Sequence, residues 1–499
     1  MPAAHLRRTS AVVAAVLIGI LGAVLPGATP SKGSVPAGLT ALPVSHVGPW
    51  LVDGQRRAVI LHGLNQVYKI APYTPSSGGF GEDDATFLQQ NGFNAMRIGV
   101  IWAAVEPAPG VYDDAYLNSV AQTVDMLGAH GIVSLLDFHQ DLYNEKFQGE
   151  GAPAWAVHDI GLPNPPLGFP WNYFGNPAEN HAWDAFWVNA KASDGIGYQD
   201  HYAAAWRHVA QRFGADPNVY GYDLMNEPWP GTLYAQCLAP LVGCPLFDTT
   251  LTKFYRKVVT AIRSVDSTTI TWVAPNVLNA EIDATAVGKI DDANVGWSFH
   301  DYCGPQEIGL GSDLCPTLDL LTMGYNVKFA QSRSWPAMLT EFGATRDTAN
   351  LTEVVQLADK LQIGWLEWAY TGGDITSQDS SGQALVLDPS QPPTGANVVE
   401  STLKSIAEPY PQVVAGTPTA WSFKNGVFTL TYSTKKIGSL LSHFAAGSET
   451  DISVPAVQFP SGYAVSVTGA TVVSAPNATL LRVLSKSGAS TITVTVAPA

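Results

Sequence analysis

The sequence predicts an α/β protein, a (β/α)₈ TIM barrel followed by a small C-terminal β-sandwich domain. Three observations carry that prediction. Eight short β-rich runs recur along the chain, amphipathic stretches with apolar residues three or four apart lie between them, and the alternation stops after Pro409 and Pro411. The runs fall at 58–65, 93–100, 131–139, 219–227, 268–275, 295–302, 336–342 and 364–370. Helical patterns occupy 114–130, 198–213, 247–265, 318–334 and 351–361. Strand then helix, repeated eight times, reads as a closed barrel. A doubly wound open sheet alternates in a similar way, but no Gly-rich phosphate loop follows the first strand. From there on, 427–432, 463–467, 479–484 and 491–496 are short alternating runs separated by Gly, Ser, Asn and Pro, the pattern of a β-sandwich. The expected organisation is a leader at 1–30, a barrel at 31–411 and a sandwich at 412–499.

The leader is read from Arg7 and Arg8, the apolar stretch 11–25, and Pro26, Gly27 and Ala28 before a Ser/Gly/Pro segment, which is the layout of a secretory signal peptide. The apolar stretch is shorter than the roughly twenty residues a membrane span requires. An exported, secreted protein is expected. Cys237, Cys244, Cys303 and Cys315 form an even set, so disulfides are favoured over free thiols in that compartment. Of three pairings, Cys237 with Cys244 and Cys303 with Cys315 is preferred, because each would staple one loop that follows a predicted strand. Neither spacing matches a zinc ribbon or finger. With 26 Lys and Arg against 42 Asp and Glu the formal charge is −16, and no basic run lies outside the extreme N-terminus, which argues against a nucleic-acid partner.

In a (β/α)₈ barrel, polar side chains at the C-terminal ends of strands converge on one face. Here they are Arg97 on strand two, Asp137, His139 and Asp141 on strand three, and Asn226 and Glu227 on strand four. His300 and Tyr302 end strand six, Glu341 strand seven and Trp368 strand eight. Each has a packing explanation by itself. Their joint placement on one rim is much harder to explain as core. Two carboxylates facing each other across a sugar are what glycoside hydrolysis needs, and a barrel brings strands four and seven to opposite sides of one mouth. Glu227 and Glu341 are the candidate pair. No Gly-x-Ser-x-Gly elbow and no His-Glu-x-x-His pattern occurs, so an esterase and a zinc hydrolase are disfavoured and no cofactor or metal is expected.

Asn226-Glu227-Pro228 and Leu339-Thr340-Glu341-Phe342-Gly343, with Arg97, His139, His300, Tyr302 and Trp368 in order, resemble family five of the glycoside hydrolases, within the clan of retaining (β/α)₈ glycosidases. The resemblance implies that Glu227 is the acid/base and Glu341 the nucleophile. It implies also that Asn226 binds the sugar 2-hydroxyl, Tyr302 orients Glu341, His300 supports the site, Arg97 keeps the nucleophile ionised and Trp368 floors the subsite. Asn65-Gln66-Val67-Tyr68-Lys69 with Pro72-Tyr73, and Asp137-Phe138-His139-Gln140-Asp141-Leu142-Tyr143, together with the C-terminal β-domain, are similar to the endoglycoceramidases. Those enzymes cut between an intact oligosaccharide and ceramide. In that family the residues matching Lys69, Asp141 and Trp171 contact the sugar nearest the cleaved bond.

Two apolar loops, 161–170 and 238–247, lie where the rim should meet water, and a lipid-facing groove with Phe169 and Leu241 as contacts is expected there. The expected partner is a glycosphingolipid in micelles or membranes, with a peripheral membrane contact and a monomeric enzyme. An endoglucanase or mannanase acting on soluble polysaccharide would use the same carboxylates, and a non-catalytic glycan- or lipid-binding barrel is the rival of a different class.

Overall fold

The computed structural model describes residues 42–238, 242–281, 284–307, 311–371, 380–439 and 441–499. The expected leader lies outside them. Three short strands come first, β1 (Ser45–Val47), β2 (Trp50–Val52) and β3 (Ala58–Val59). Eight parallel strands follow: β4 (His62–Gln66), β5 (Ala95–Val100), β6 (Val133–Phe138), β7 (Val219–Asp223), β8 (Ile270–Val273), β9 (Val295–Asp301), β10 (Ala337–Phe342) and β11 (Gly364–Glu367). They close into a barrel in which β11 pairs with β4 and β10 with β9. All six residues of β5 and of β6 are buried, as a parallel strand covered on both faces requires. The lower interior is filled by Trp272, whose indole lies so close to Gly221 and Gly296 that an added Cβ would fall 2.2 Å and 2.4 Å from it. Small residues at those two positions make room for the large one.

The helical stretches form as their periodicity predicts. Asp113 accepts from the amides of Ala115 and Tyr116 to cap Asp114–Ala129, and Asp347 caps Thr348–Leu361 by accepting from Ala349 and Asn350. Pro245–Arg263 buries Phe247, Leu251, Phe254, Val258 and Ile262, one face at helical spacing. Cys237 is bonded to Cys244 after β7 and Cys303 to Cys315 after β9, with Cα separations of 4.5 Å and 5.3 Å, the preferred pairing. Among the described residues no helix is long and apolar enough to cross a membrane.

The C-terminal module holds β12 (Tyr410–Val414), β13 (Thr417–Lys424), β14 (Val427–Ser433), β15 (Glu449–Ser453), β16 (Tyr463–Thr468), β17 (Ala470–Val472), β18 (Leu480–Ser485) and β19 (Thr491–Pro498). A seven-stranded sheet in the order β1-β2-β3-β12-β15-β18-β17 shares one core with a four-stranded sheet, β13-β14-β19-β16. Here the structure departs from the expected boundaries. The run 58–65 is not one strand: Val59 pairs with Val413 in the C-terminal sheet, the chain crosses over at Ile60 and Leu61, and only His62 onward enters the barrel. The segment 45–59 therefore belongs to the sandwich rather than to the barrel, because antiparallel pairing with β12 covers what would otherwise be an open edge. The two parts are joined firmly. The His62 ring is stacked between Trp365 of β11 and Tyr410 of β12, at centroid distances of 4.3 Å and 3.7 Å. Trp421 donates its indole N–H to Asp359 of the barrel helix Thr348–Leu361.

Candidate active site

The site is assembled around a fully buried guanidinium. Arg97 projects from β5 into the barrel, where an unpaired charge would be prohibitively costly. Its fork is held by four hydrogen bonds and an ion pair. Nε donates to Asp223 at 3.0 Å, Nη1 to Asn65 at 3.1 Å and to Glu341 at 2.5 Å, and Nη2 to Asn226 at 2.8 Å, with Asp137 3.0 Å away. Arg97 thus ties together the ends of β4, β5, β6, β7 and β10 and fixes one oxygen of Glu341. Tyr302 donates its hydroxyl to the other, Oε2, at 2.9 Å.

Glu227 follows β7 in a backbone conformation with φ 43°, a left-handed geometry costly for a residue with a Cβ. Gln140 holds that turn from the side by donating to the carbonyls of Asn226 and Glu227, both at 3.0 Å, while Asn226 returns a bond to the Gln140 carbonyl. His300 sits between the two glutamates, its Nδ1 2.9 Å from Glu227 Oε1 and 3.4 Å from Glu341 Oε2. Glu227, His300 and Glu341 each place a side-chain N or O atom within 4.8 Å of the others.

The environments of the two carboxyls push them apart. Burial raises the Glu227 pKa, and nearby Glu341 and Asp141 add to that against the lowering pull of His300. Burial would raise Glu341 too, but the cationic neighbours His300, Arg97 and His139 outweigh it and hold Glu341 below the usual carboxylate range. His300 is raised because its two glutamates overcome the lowering by burial. A site with one carboxyl biased towards the acid form and one towards the anion can donate a proton and stabilise a cation at once.

Beside this pair lies a second buried group. Burial alone would lower His139, but Asp137, 2.7 Å from Nδ1, and Asp141 raise it to about 10. Lys69 forms an ion pair with Asp141 and stands 4.6 Å over the Trp368 ring. His139 is stacked parallel to Trp368 at 5.4 Å. Lys69, His139, Asp141 and Trp368 thus lie together on one side of the site. Trp171 stands apart, 57 % exposed, its indole 6.5 Å from Phe174 on the rim. Phe169 packs at 6.1 Å on Tyr173, half-buried, so part of its surface belongs to the barrel cap. Leu241 lies outside the described residues. The donor sets on the two sides of the site resemble cation sites, but Lys69 already pairs with Asp141 and Arg97 with Glu341.

Sequence reading missed Asp223 and Gln140. Asp223 ends β7 four residues before Glu227, and a charged residue in an otherwise uncharged run was the available signal. Gln140 carries no such signal, because its role is to brace a backbone.

Residues 55–374 match the family model for cellulase, glycosyl hydrolase family 5, and residues 409–496 that for the glycoside hydrolase family 5 C-terminal domain. Endoglycoceramidase I of Rhodococcus hoagii (strain 103S) is 33% identical over 467 residues, covering 90% of this chain and 87% of that protein. The structure of endo-glycoceramidase II from Rhodococcus sp. in a ganglioside GM3 complex is similar with a TM-score of 0.74 at 30% identity, over 91% of this chain and 100% of that one. The lactosyl-enzyme intermediate of the same Rhodococcus enzyme gives a TM-score of 0.72 at 30% identity, over 89% and 98%. With the barrel and the C-terminal module both matched, the chain is a glycoside hydrolase of family 5 and belongs with the endoglycoceramidases.

Proposed function

We propose that this protein is a secreted, retaining endo-glycosidase that cleaves the bond between oligosaccharide and ceramide in glycosphingolipids. The observation that carries the reading is the pair Glu227 and Glu341, with carboxylate oxygens within 4.8 Å and opposite pKa displacements. Carboxyl groups about 5 Å apart suit a covalent glycosyl-enzyme, whereas inversion leaves roughly 6.5 to 9.5 Å for a water. Glu341, held by Arg97 and Tyr302, attacks the anomeric carbon. Glu227 protonates the glycosidic oxygen, and ceramide leaves as a neutral alcohol. Glu227, now ionised, takes a proton from water, which attacks the anomeric carbon and frees Glu341. His300 relays the charge change between the two. Asn226 donates to the sugar 2-hydroxyl, Lys69, Asp141 and His139 bond the remaining hydroxyls, Trp368 lies under the sugar face, and Trp171 contacts it from the rim.

Support for the lipid aglycone comes from the relatives' names, from the GM3 complex of one of them and from apolar side chains on the rim, including Leu167 and Trp171. The test is to incubate the protein with a panel of glycosphingolipids and soluble β-glucans and mannans and to weigh the products. Free oligosaccharide plus intact ceramide is expected. Release of shorter oligosaccharides from polysaccharide alone would replace this reading with an endoglucanase or mannanase.

A further inference from the structure

The barrel is irregular where Glu341 stands. β10 pairs with β11 at Met338–Gly364 and Leu339–Trp365, and the two chains meet again at Gly343–Trp368. The β10 residues 340–342 therefore face only Leu366 and Glu367 of β11. On its other side β10 shifts register against β9 between Leu339 and Glu341, which makes Thr340 the extra residue of a bulge. A bulge interrupts the ladder and re-aims the side chain beside it, and that side chain is Glu341. On the β9 side the Thr340 hydroxyl donates to the Phe299 carbonyl at 3.3 Å.

One side chain bridges this irregularity. Asn65 lies near the C-terminal end of β4, fully buried, in register with Arg97 of β5. Its Nδ2 donates to the Thr340 carbonyl at 2.9 Å and to those of Leu366 and Glu367, both at 3.2 Å, the carbonyls that border the bulge. Its Oδ1 accepts from Arg97 Nη1 at 3.1 Å, and the same Nη1 donates to Glu341. The Asn65 carbonyl accepts from the Tyr370 amide at 2.9 Å, two residues beyond Trp368. Asn65 thus holds the residue before Glu341, the residue before Trp368 and the guanidinium that grips Glu341. Filling space needs none of this directionality. An apolar side chain of similar size would fit the volume and deprive the carbonyls and the guanidinium of that partner.

We propose that Asn65 is a positioning residue for the nucleophile: its amide spans the bulge and sets where the Glu341 carboxylate stands, and its Oδ1 aims the Arg97 fork at that carboxylate. This rests on the reading above in which Glu341 attacks the anomeric carbon. Asn65 acts through Glu341, so its loss shows in the covalent step rather than in sugar binding. Misplacing a reacting group by about 1 Å can cost on the order of 10² in rate.

The test uses the full chain and two probes, a 2,4-dinitrophenyl glycoside as substrate and a 2-deoxy-2-fluoro glycosyl fluoride that labels the nucleophile covalently. Asn65→Ala is expected to slow labelling and to lower kcat by roughly ten- to a hundredfold, with KM little changed. A double-mutant cycle separates positioning from general damage. In a Glu341→Ala background, azide attacks the anomeric carbon in place of the carboxylate and dinitrophenolate leaves with the bonding pair. There Asn65→Ala should change the azide-supported rate by less than about twofold, because no carboxylate remains to be positioned. Equal losses in both backgrounds would overturn the assignment and leave Asn65 a strut of the barrel, and so would normal labelling of the Asn65→Ala enzyme. Asn65→Asp, almost the same shape, keeps an acceptor for Arg97 and gives up the amide donor. If the alanine variant does not fold, the aspartate variant carries the same cycle, and its labelling at the wild-type rate on the pH plateau would equally overturn the proposal. A wild type labelled at a carboxyl other than Glu341 would remove the nucleophile reading itself and the positioning role with it, an outcome distinct from any failure confined to the Asn65 variants.

Discussion

Tyr302→Phe takes a single oxygen out of the site and isolates one contribution to the charge state of Glu341. In the wild type Oε1 of Glu341 receives Arg97 at 2.5 Å, and Oε2 receives the Tyr302 hydroxyl at 2.9 Å with His300 at 3.4 Å. The variant leaves Oε2 with the long His300 contact alone, and His300 is committed to Glu227 at 2.9 Å. A hydrogen bond to a charged acceptor contributes about 1.5 to 3 kcal/mol, and one pKa unit corresponds to about 1.4 kcal/mol. The Glu341 pKa should therefore rise, while Arg97 and His300 still pull it down. The sign follows from the role: the nucleophile must be ionised, so a raised pKa moves the acid limb of the rate profile to higher pH. The basic limb, set by Glu227, stays where it is. The measurement is kcat/KM against pH on a soluble nitrophenyl glycoside, which reports the free enzyme's ionisations, with circular dichroism as a check on folding. An acid limb that does not move while the plateau drops would refute the reasoning and leave Tyr302 a sugar contact only.

Other outcomes follow from the same geometry. Glu227→Gln and Glu341→Ser should each lower turnover by on the order of 10² to 10⁴ or more with folding preserved; near-normal rates in either would reject the pair. Phe169→Ala should reduce unfolding free energy by about 1 to 3 kcal/mol in a denaturant titration and slow glycosphingolipid and nitrophenyl glycoside alike, since its ring packs on Tyr173. A loss confined to the glycosphingolipid would restore the aglycone contact expected from sequence. A chain ending at residue 411 should be insoluble, because β3 and Tyr410 lose the sheet and core that cover them; soluble, fully active protein would show the module dispensable. Burial raises Asp359 to about 7 and raises Glu408 beside it. A raised carboxyl stabilises the fold below its unfolded pKa of about 4, and that contribution is lost as pH rises through about 7. Asp359→Asn should flatten the fall in stability between pH 5 and pH 8, read by urea midpoints at each pH; an unchanged slope would place the titration elsewhere.

Much of the barrel was legible because each strand announces itself locally. An apolar run of β-branched residues bounded by Gly, Pro and Asn needs no knowledge of its partners, and the rim residues follow from where such runs end. Glu227, Glu341, Arg97, His300, Tyr302, His139, Asp141 and Trp368 could be listed together for that reason, whereas Lys69, three residues past the end of β4, was named only through the resemblance. What stayed hidden depends on distant partners. Val59 looks like the start of the first barrel strand until Val413 is known to lie beside it. Gln140 looks like an ordinary loop residue until the strained carbonyl of Glu227 is placed against its amide. The outward face of Cys315–Ser332 has apolar residues at helical spacing, so periodicity predicted a helix without saying which side would meet the core.

The sheet that runs β1-β2-β3-β12 has a consequence for assembly and exchange. Its first three strands leave the ribosome before any of the barrel, yet their neighbour β12 is made only after the barrel's last helix. The sandwich sheet cannot be completed until the whole barrel segment has been synthesised, and its β3–β12 pairing immediately precedes the barrel's entry strand β4. The last residues cannot be grafted from a relative as a cassette, because the graft must carry the segment 45–59 with it. Chimeras that exchange both pieces together should fold, and those that exchange the C-terminal piece alone should misfold at the β3–β12 seam.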